Sequence, residues 1–454
     1  MKLVQGSGLD LEAALSLVDS ITAPRVAGKV TQLTGLVLRA TAPGARAGEL
    51  VLIERGGERG GERGGGMVRA EVVGFDGEEV VLLPLGSSAG IGPDSVVRPT
   101  GRPFSIRCGP GLLGRVVDAL GDPIDGLPPP DGPMEWWEVD RAAPDPLRRR
   151  RISRPLTTGL RAIDSVLTLG EGQRVGLFAG PGLGKSTLLG HLAKRAESDV
   201  IVIGLVGERG REVRDFLETQ LDEETRKRAV CVVATSDAPP LLRLKSAMVA
   251  TAIAEYFRDR GKRVLLLVDS LTRVARAQRE VGLAAGEPPA RQGYPPSVFA
   301  MLPRLLERSG HGPEGCITAV YAVLTNSDEA DDPVAEEVRA ILDGHIVLSR
   351  ELAARNHWPA IDVVRSLSRV MEELVDAEHR RQAGRLREVL ATYERQRDLI
   401  LLGAYRAGSD PATDDALARV GAVEAFLRQD RHQRFSLDDA RRGLMALFAD
   451  EDPT

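Results

Sequence analysis

Nine consecutive residues, Ala179-Gly180-Pro181-Gly182-Leu183-Gly184-Lys185-Ser186-Thr187, carry the most legible chemistry of this chain. Holding a phosphate chain requires several backbone N–H groups aimed at one point, and tight turns free of Cβ atoms supply them. A helix starting where the turn ends adds the positive end of its dipole. Lys185 is then placed to reach the β- and γ-phosphates, and the Ser186 hydroxyl to ligate Mg²⁺. Ala179 stands where the usual pattern has Gly, and Pro181 offers no N–H, which weakens one phosphate contact. The flanks fit such a loop. Residues 173–179 read as a short apolar strand, and Leu188, Leu189, Leu192 and Ala193 recur at helical spacing. A glycine-rich turn between two strands is the plain alternative.

Two acids belong to the same chemistry. Val264-Leu-Leu-Leu-Val-Asp269 is a continuous apolar run ending in a carboxylate. That is the pattern of a strand buried on both faces, whose C-terminal end faces the ligand crevice of an open α/β sheet. Asp269 is expected to hold Mg²⁺ through water; an exposed strand end is the other reading. Val206-Gly-Glu208-Arg209-Gly-Arg-Glu-Val213 follows a strand and opens a helix, so Glu208 can project into that crevice. A carboxylate there can act as general base toward the attacking water. It can equally be an acid stabilised by a helix start.

These groups need a scaffold. At 454 residues the chain exceeds one ordinary core, and 43% hydrophobic content makes it globular. A net charge of −5 gives no pull toward nucleic acid. Cys108, Cys231 and Cys316 are far apart, as expected of free thiols in a reducing compartment. No apolar run reaches the roughly 18 residues of a membrane span, and the first residues show no secretory pattern. The expectation is a cytoplasmic protein touching membrane only peripherally.

Residues 1–22 are expected to hold a docking segment, with a short amphipathic helix over about 9–20. Residues 23–100 alternate β-rich runs (33–38, 49–53, 68–73, 80–85) with turns, predicting a small β-barrel. Within it Glu54-Arg-Gly-Gly repeats three times in tandem through Gly65, as a loop tip would. Residues 101–154 form a lead-in and linker. Four arginines, 148–151, read there as a solvated run or as a docking point for an acidic partner or membrane surface. Residues 101–370 are expected to form one domain, in which about 155–370 alternate strand-like runs (200–206, 229–234, 264–268, 317–324) with helical segments, predicting a parallel sheet with helices on both faces. Residues 371–454 read as a helical domain, interrupted at Gly408-Ser-Asp-Pro411.

Taken with Pro155-Leu-Thr-Thr-Gly-Leu-Arg-Ala-Ile-Asp164, Gly172-Gln-Arg-Val-Gly176, Ile341-Leu-Asp-Gly-His-Ile-Val-Leu-Ser-Arg350 and Asn356-His-Trp-Pro-Ala-Ile-Asp362, these motifs resemble the hexameric ATPase family of the F-type ATP synthase catalytic subunit. The likeness is to its type III secretion and flagellar export branch. It implies a RecA-like P-loop ATPase core with an N-terminal barrel and a C-terminal helical domain, binding ATP and Mg²⁺. It also implies that Glu208 is the catalytic glutamate and that Arg209 orients the site. Ser366-Leu-Ser-Arg369 matches the segment of the arginine finger, so Arg369 would act on a neighbouring subunit's γ-phosphate. Trp358 matches the aromatic that packs on the base, although Trp replaces the usual Tyr or Phe. Gly282–Phe299 resembles the loop facing the ring's channel.

Implied partners are further copies in a hexameric ring, stator, regulator and stalk proteins, and chaperone–substrate complexes at the inner face of the cytoplasmic membrane. The implied activity is ATP hydrolysis coupled to chaperone release and substrate unfolding, with virulence-type secretion favoured over flagellar export. A rotary synthase subunit is disfavoured because residues 207–213 lack that subunit's Thr and Asn-Asp pattern. An RNA translocase would need aromatics in its barrel, where residues 28–100 have only Phe75. A non-hydrolysing nucleotide-binding scaffold is the remaining alternative.

Overall fold

The computed structural model describes residues 26–56, 66–325 and 332–449. The expected docking helix, most of the Glu-Arg-Gly-Gly repeat and residues 326–331 lie outside the described residues. The chain divides into two compact units, residues 1–102 and 103–454.

The first unit is a closed six-stranded barrel of β1 (Gly28–Thr34), β2 (Val37–Ala40), β3 (Glu49–Glu54), β4 (Met67–Asp76), β5 (Glu79–Pro84) and β6 (Val96–Pro103), in the order β1-β2-β5-β4-β3-β6. Alternation builds it: Leu38, Ile53, Leu82 and Val97 are fully buried on the inner face. The run expected as one strand, 33–38, is instead divided by a tight turn at Gly35-Leu36, with Thr34 paired to Val37.

The second unit is built on one twisted sheet. Its strands are β7 (Val116–Asp118), β8 (Arg174–Ala179), β9 (Val200–Glu208), β10 (Ala229–Thr235), β11 (Arg263–Asp269), β12 (Cys316–Leu324), β13 (Gly344–Leu348) and β14 (Ile361–Ser368). The order is β14-β13-β8-β12-β11-β9-β10-β7. Every pair in it is parallel except β13 with β14. All nine residues of β9 are buried, the continuous pattern of a strand covered on both faces. Helices α1 (Lys185–Arg195), α2 (Gly210–Asp215), α3 (Pro240–Arg258), α4 (Leu271–Ala284), α5 (Pro296–Leu306) and α6 (Pro333–Ile341) connect the strands.

Three helices end the chain: α7 (Ala377–Leu401), α8 (Pro411–Leu427) and α9 (Leu437–Ala446). Leu386, Val389, Phe426 and Leu444 join the same buried cluster as the β8 and β9 residues Leu177 and Ile203. Each such side chain contributes about 1.5–3 kcal/mol on burial. Asp410 caps α8, and Ser436 with Asp439 forms a complete capping box on α9. The shorter Asp thus serves where Glu or Gln is the usual third residue.

Of the four arginines, Arg148, Arg150 and Arg151 are exposed, as a solvated run would be, and only Arg149 is largely withdrawn from solvent. Arg149 donates to the carbonyls of Ser309 (2.7 Å) and Glu307, and Arg150 donates to the Glu314 carbonyl. Arg151 pairs with Glu373 at 3.2 Å. The segment is a strap fastened to residues 307–315, and burial lowers the Arg149 pKa accordingly.

Candidate active site

The phosphate loop, Asp269 and Glu208 all lie at C-terminal ends of parallel strands. The loop leaves β8, Asp269 ends β11 and Glu208 ends β9. Strand β12 separates β8 from β11, so Lys185 must reach across its end to meet the acids. It does. Lys185 Nζ lies against Asp269 Oδ1 and 3.4 Å from Glu208 Oε1. Both carboxylates are buried, at 2% and 6% exposure.

Two glycines make this geometry possible. Gly184 has φ +83°, and a Cβ there would sit 3.1 Å from Trp358 Cζ3, so only glycine lets the loop approach the indole this closely. Gly207 has φ +66° at the bulge where β9 slips against β10. A Cβ there would lie 2.8 Å from Arg273 Cδ. The missing side chain lets Arg273, on α4, pass to Glu208 Oε1.

Arg273 is the residue that sequence reasoning passed over. Its signal was available: it sits in the first turn of a helix, where the dipole disfavours a cation, one turn beyond Asp269. Arg209 is placed differently. It precedes α2 in an extended conformation, its side chain is 81% exposed, and it pairs at 3.6 Å with Glu212 instead of Glu208.

The electrostatics follow from burial and these contacts. Burial pushes the Glu208 carboxyl up, but the Glu212 carboxyl, Lys185 and Arg273 together hold it below the usual glutamate range. Glu212 is raised, first by its hydrogen bond to Glu208 and then by burial. Burial lifts Asp269 above the usual aspartate range against the pull of Lys185. Glu208 Oε2 is buried without an N–H donor. Ser186 and Thr187 are exposed on the first turn of α1.

Beside the loop lies a cavity of about 430 Å³. Gly182, Leu183, Gly184, Thr187 and Trp358 line it together with Gln429. Trp358 is 38% exposed, and its Nε1 donates to Asn356 Oδ1 at 2.9 Å. Gly180 borders a second cavity, on the side of Arg350. Pro181 is exposed. Tyr294, from the stretch expected to face a channel, is buried against Phe299 at 6.4 Å, while Leu283 remains 38% exposed.

Arg369 is not brought to this site. Strand β14 runs antiparallel to β13, with Ser368 opposite Gly344. The Arg369 N–H bonds the Asp343 carbonyl, whose own N–H bonds the Arg174 carbonyl. Arg369 is therefore level with the start of β8, whereas the phosphate loop leaves its end.

Three family models match this architecture. The ATP synthase alpha/beta family nucleotide-binding domain matches residues 159–368, and that family's beta-barrel domain matches 30–101. The T3SS EscN ATPase C-terminal domain matches 375–446. The type 3 secretion system ATPase of Xanthomonas euvesicatoria is 52% identical over 410 residues, covering 89% of this chain and 90% of that protein. The chain belongs to the type III secretion and flagellar export ATPase family. The flagellum-specific ATP synthase of Bacillus subtilis is 47% identical, covering 94% of this chain and 96% of its own. The assembled ATPase EscN of the enteropathogenic E. coli type III secretion system superposes with a TM-score of 0.86 at 45% identity, over 92% of this chain and 99% of EscN. EscN has also been solved in complex with its central stalk EscO. Membership makes this chain an ATPase, and its nucleotide-binding domain implies use of ATP. Among the described residues no helix is long and apolar enough to cross a membrane.

Proposed function

We propose that this chain is the ring-forming, Mg²⁺-dependent ATPase of a type III protein secretion apparatus. It would work at the cytoplasmic face of the membrane and couple hydrolysis to chaperone release and unfolding of exported proteins. One observation carries the enzymatic reading: Lys185 bridges Asp269 and Glu208 at the end of the phosphate loop.

In the reading we favour, the backbone of residues 180–184 and the N-terminus of α1 grip the phosphates. Lys185 transfers from its carboxylate partners to the β- and γ-oxygens. Glu208, ionised because neighbours outweigh its burial, offers Oε2, which accepts no N–H, to the attacking water and takes the water's proton. Arg273 keeps that carboxylate aimed and charged, while Arg209 acts from the rim through Glu212. The Ser186 hydroxyl and the Asp269 carboxylate are hard oxygen donors of the kind Mg²⁺ prefers, so the residues present suit that ion. When bound it neutralises charge on the β- and γ-phosphate oxygens. The base stacks on Trp358 in the 430 Å³ cavity.

Arg369 completes the site from a neighbouring copy. Its position at the far edge of the sheet and the solved assembly of EscN support a ring. The EscN–EscO complex supports a stalk partner. Chaperone–substrate complexes, stator proteins and the membrane face are proposed as further partners. Flagellar export remains the second reading, because flagellum-specific relatives match as extensively. Neighbouring genes for needle or hook components separate the two.

The test is Glu208→Gln. Nucleotide affinity should stay within about threefold of wild type, while steady phosphate release falls by roughly 10³-fold or more, as for loss of a general base that also orients water. Release at the wild-type rate from the variant would remove Glu208 from the mechanism. No release from the wild type would return the chain to a nucleotide-binding scaffold.

A further inference from the structure

Gln429 follows the end of α8 and is 95% buried, being 5% exposed. Its amide oxygen accepts the Arg161 N–H at 2.9 Å. Its amide nitrogen donates to the Gly159 carbonyl at 2.8 Å and to the Gln433 carbonyl at 3.3 Å. Its own backbone N–H donates to the Trp358 carbonyl at 2.8 Å. One residue of the C-terminal segment thus ties together the 159–161 loop, the Trp358 segment and the 430–433 turn. Leu160, Trp358, Asp430 and Arg431 from these three stretches all line the 430 Å³ cavity beside the phosphate loop.

The amide of Gln429 has both ends engaged by backbone. It is therefore part of the frame of the cavity and not a group that reads the ligand. Arg161 strengthens the same junction. Its guanidinium donates to the Arg428 carbonyl at 2.6 Å and lies over the rings of Phe435 (4.4 Å) and Phe426 (5.3 Å). From the other side, the Asp164 carboxylate accepts from Thr158 N at 2.9 Å and from Gly159 N at 2.9 Å. The loop is pinned on both flanks, once by its own helix and once by the C-terminal helices.

We propose that Gln429 is a positioning residue for the nucleotide base: it sets the spacing between Trp358 and the 159–161 loop. The proposal rests on the reading of this cavity as the base site. It deepens that reading by naming the side chain that holds the walls of the cavity together.

The experiment uses the full chain with Gln429→Leu, and Arg161→Met as a second variant that keeps the main-chain bond to Gln429 but removes the guanidinium latch. ADP and tripolyphosphate, each with Mg²⁺, are titrated calorimetrically, and KM and kcat for ATP are measured. Tripolyphosphate has no base and reports the phosphate loop alone. The expected result is an ADP Kd and an ATP KM raised about tenfold, as the Arg161 N–H and the Gly159 and Gln433 carbonyls lose their shared partner and the cavity wall relaxes. Tripolyphosphate Kd should stay within about twofold, as should kcat at saturation. Equal weakening of ADP and tripolyphosphate would mean that the residue merely supports the fold, and would overturn the proposal. Unchanged ADP binding in both variants, or a fall in kcat without a rise in KM, would overturn it as well. A wild type that bound tripolyphosphate but gained nothing from the base would instead sink the assignment of the cavity.

Discussion

Mixing two inactive variants should restore hydrolysis. Arg369 lies level with Arg174, and the phosphate loop begins after Ala179, five residues further along β8 (179 − 174). At about 3.3 Å per residue that is roughly 16 Å along the strand, before the sideways step across β13 is added. An extended arginine side chain reaches about 7 Å, less than half of this span. Within one protomer the guanidinium cannot contact a γ-phosphate, so any catalytic contribution must come from another copy. Arg369→Ala alone should lower kcat by roughly 10³-fold or more while ADP still binds. Glu208→Gln should be as inactive. In a mixture, an Arg369→Ala protomer has an intact acid, and a Glu208→Gln neighbour has an intact arginine. Random equal mixing makes about one quarter of the interfaces productive in a closed ring. Steady phosphate release should therefore recover to about a quarter of the wild-type rate, with a maximum near equal amounts. Sizing, with one variant carrying a fluorophore, verifies that the rings are mixed. Mixed rings that stay inactive at every ratio would refute the sharing of the site, and so would an Arg369→Ala protein with wild-type turnover.

Two further outcomes follow from the site. Arg273 and Lys185 help hold Glu208 below the usual glutamate range, so its ionised form persists, and with it the associated stability, until the pH falls through that lowered value. Arg273→Gln removes one cation and should shift the acid limb of kcat/KM to higher pH while lowering its plateau about tenfold or more; an unmoved limb would show that Arg273 does not act on Glu208. With Trp136 and Trp137 replaced by Phe, ADP should quench the fluorescence of Trp358, and a flat titration at concentrations that saturate hydrolysis would exclude stacking there.

The phosphate loop and the strand ending at Asp269 were legible because their signals are local. Glycine spacing states the backbone geometry, and an unbroken apolar run states burial on both faces. The β14 strand was not, although it decides where Arg369 lies. Its inner positions include Ser366 and Ser368, which interrupt the alternation expected of an apolar face. Both hydroxyls are nevertheless satisfied: Ser366 Oγ accepts from Val347 N at 2.9 Å, and Ser368 Oγ donates to the Thr168 carbonyl at 2.9 Å. A strand's direction leaves no trace in its own composition. The anchoring of Arg149 and Arg150 was hidden for a related reason, since their acceptors are carbonyls about 160 residues downstream and carbonyls belong to every residue type. Arg273 left a signal in its place at a helix start, but its pairing with Glu208 was not legible, because the bulge at Gly207 that clears the path between them lies in another strand.

Consider what a single reversed strand does to the economy of the molecule. β14 carries the arginine to the rim opposite Glu208, so if both groups act as proposed, a solitary chain holds half of a reaction centre. On the reading proposed above, such a chain idles at any nucleotide level, and dilution alone serves as the off switch.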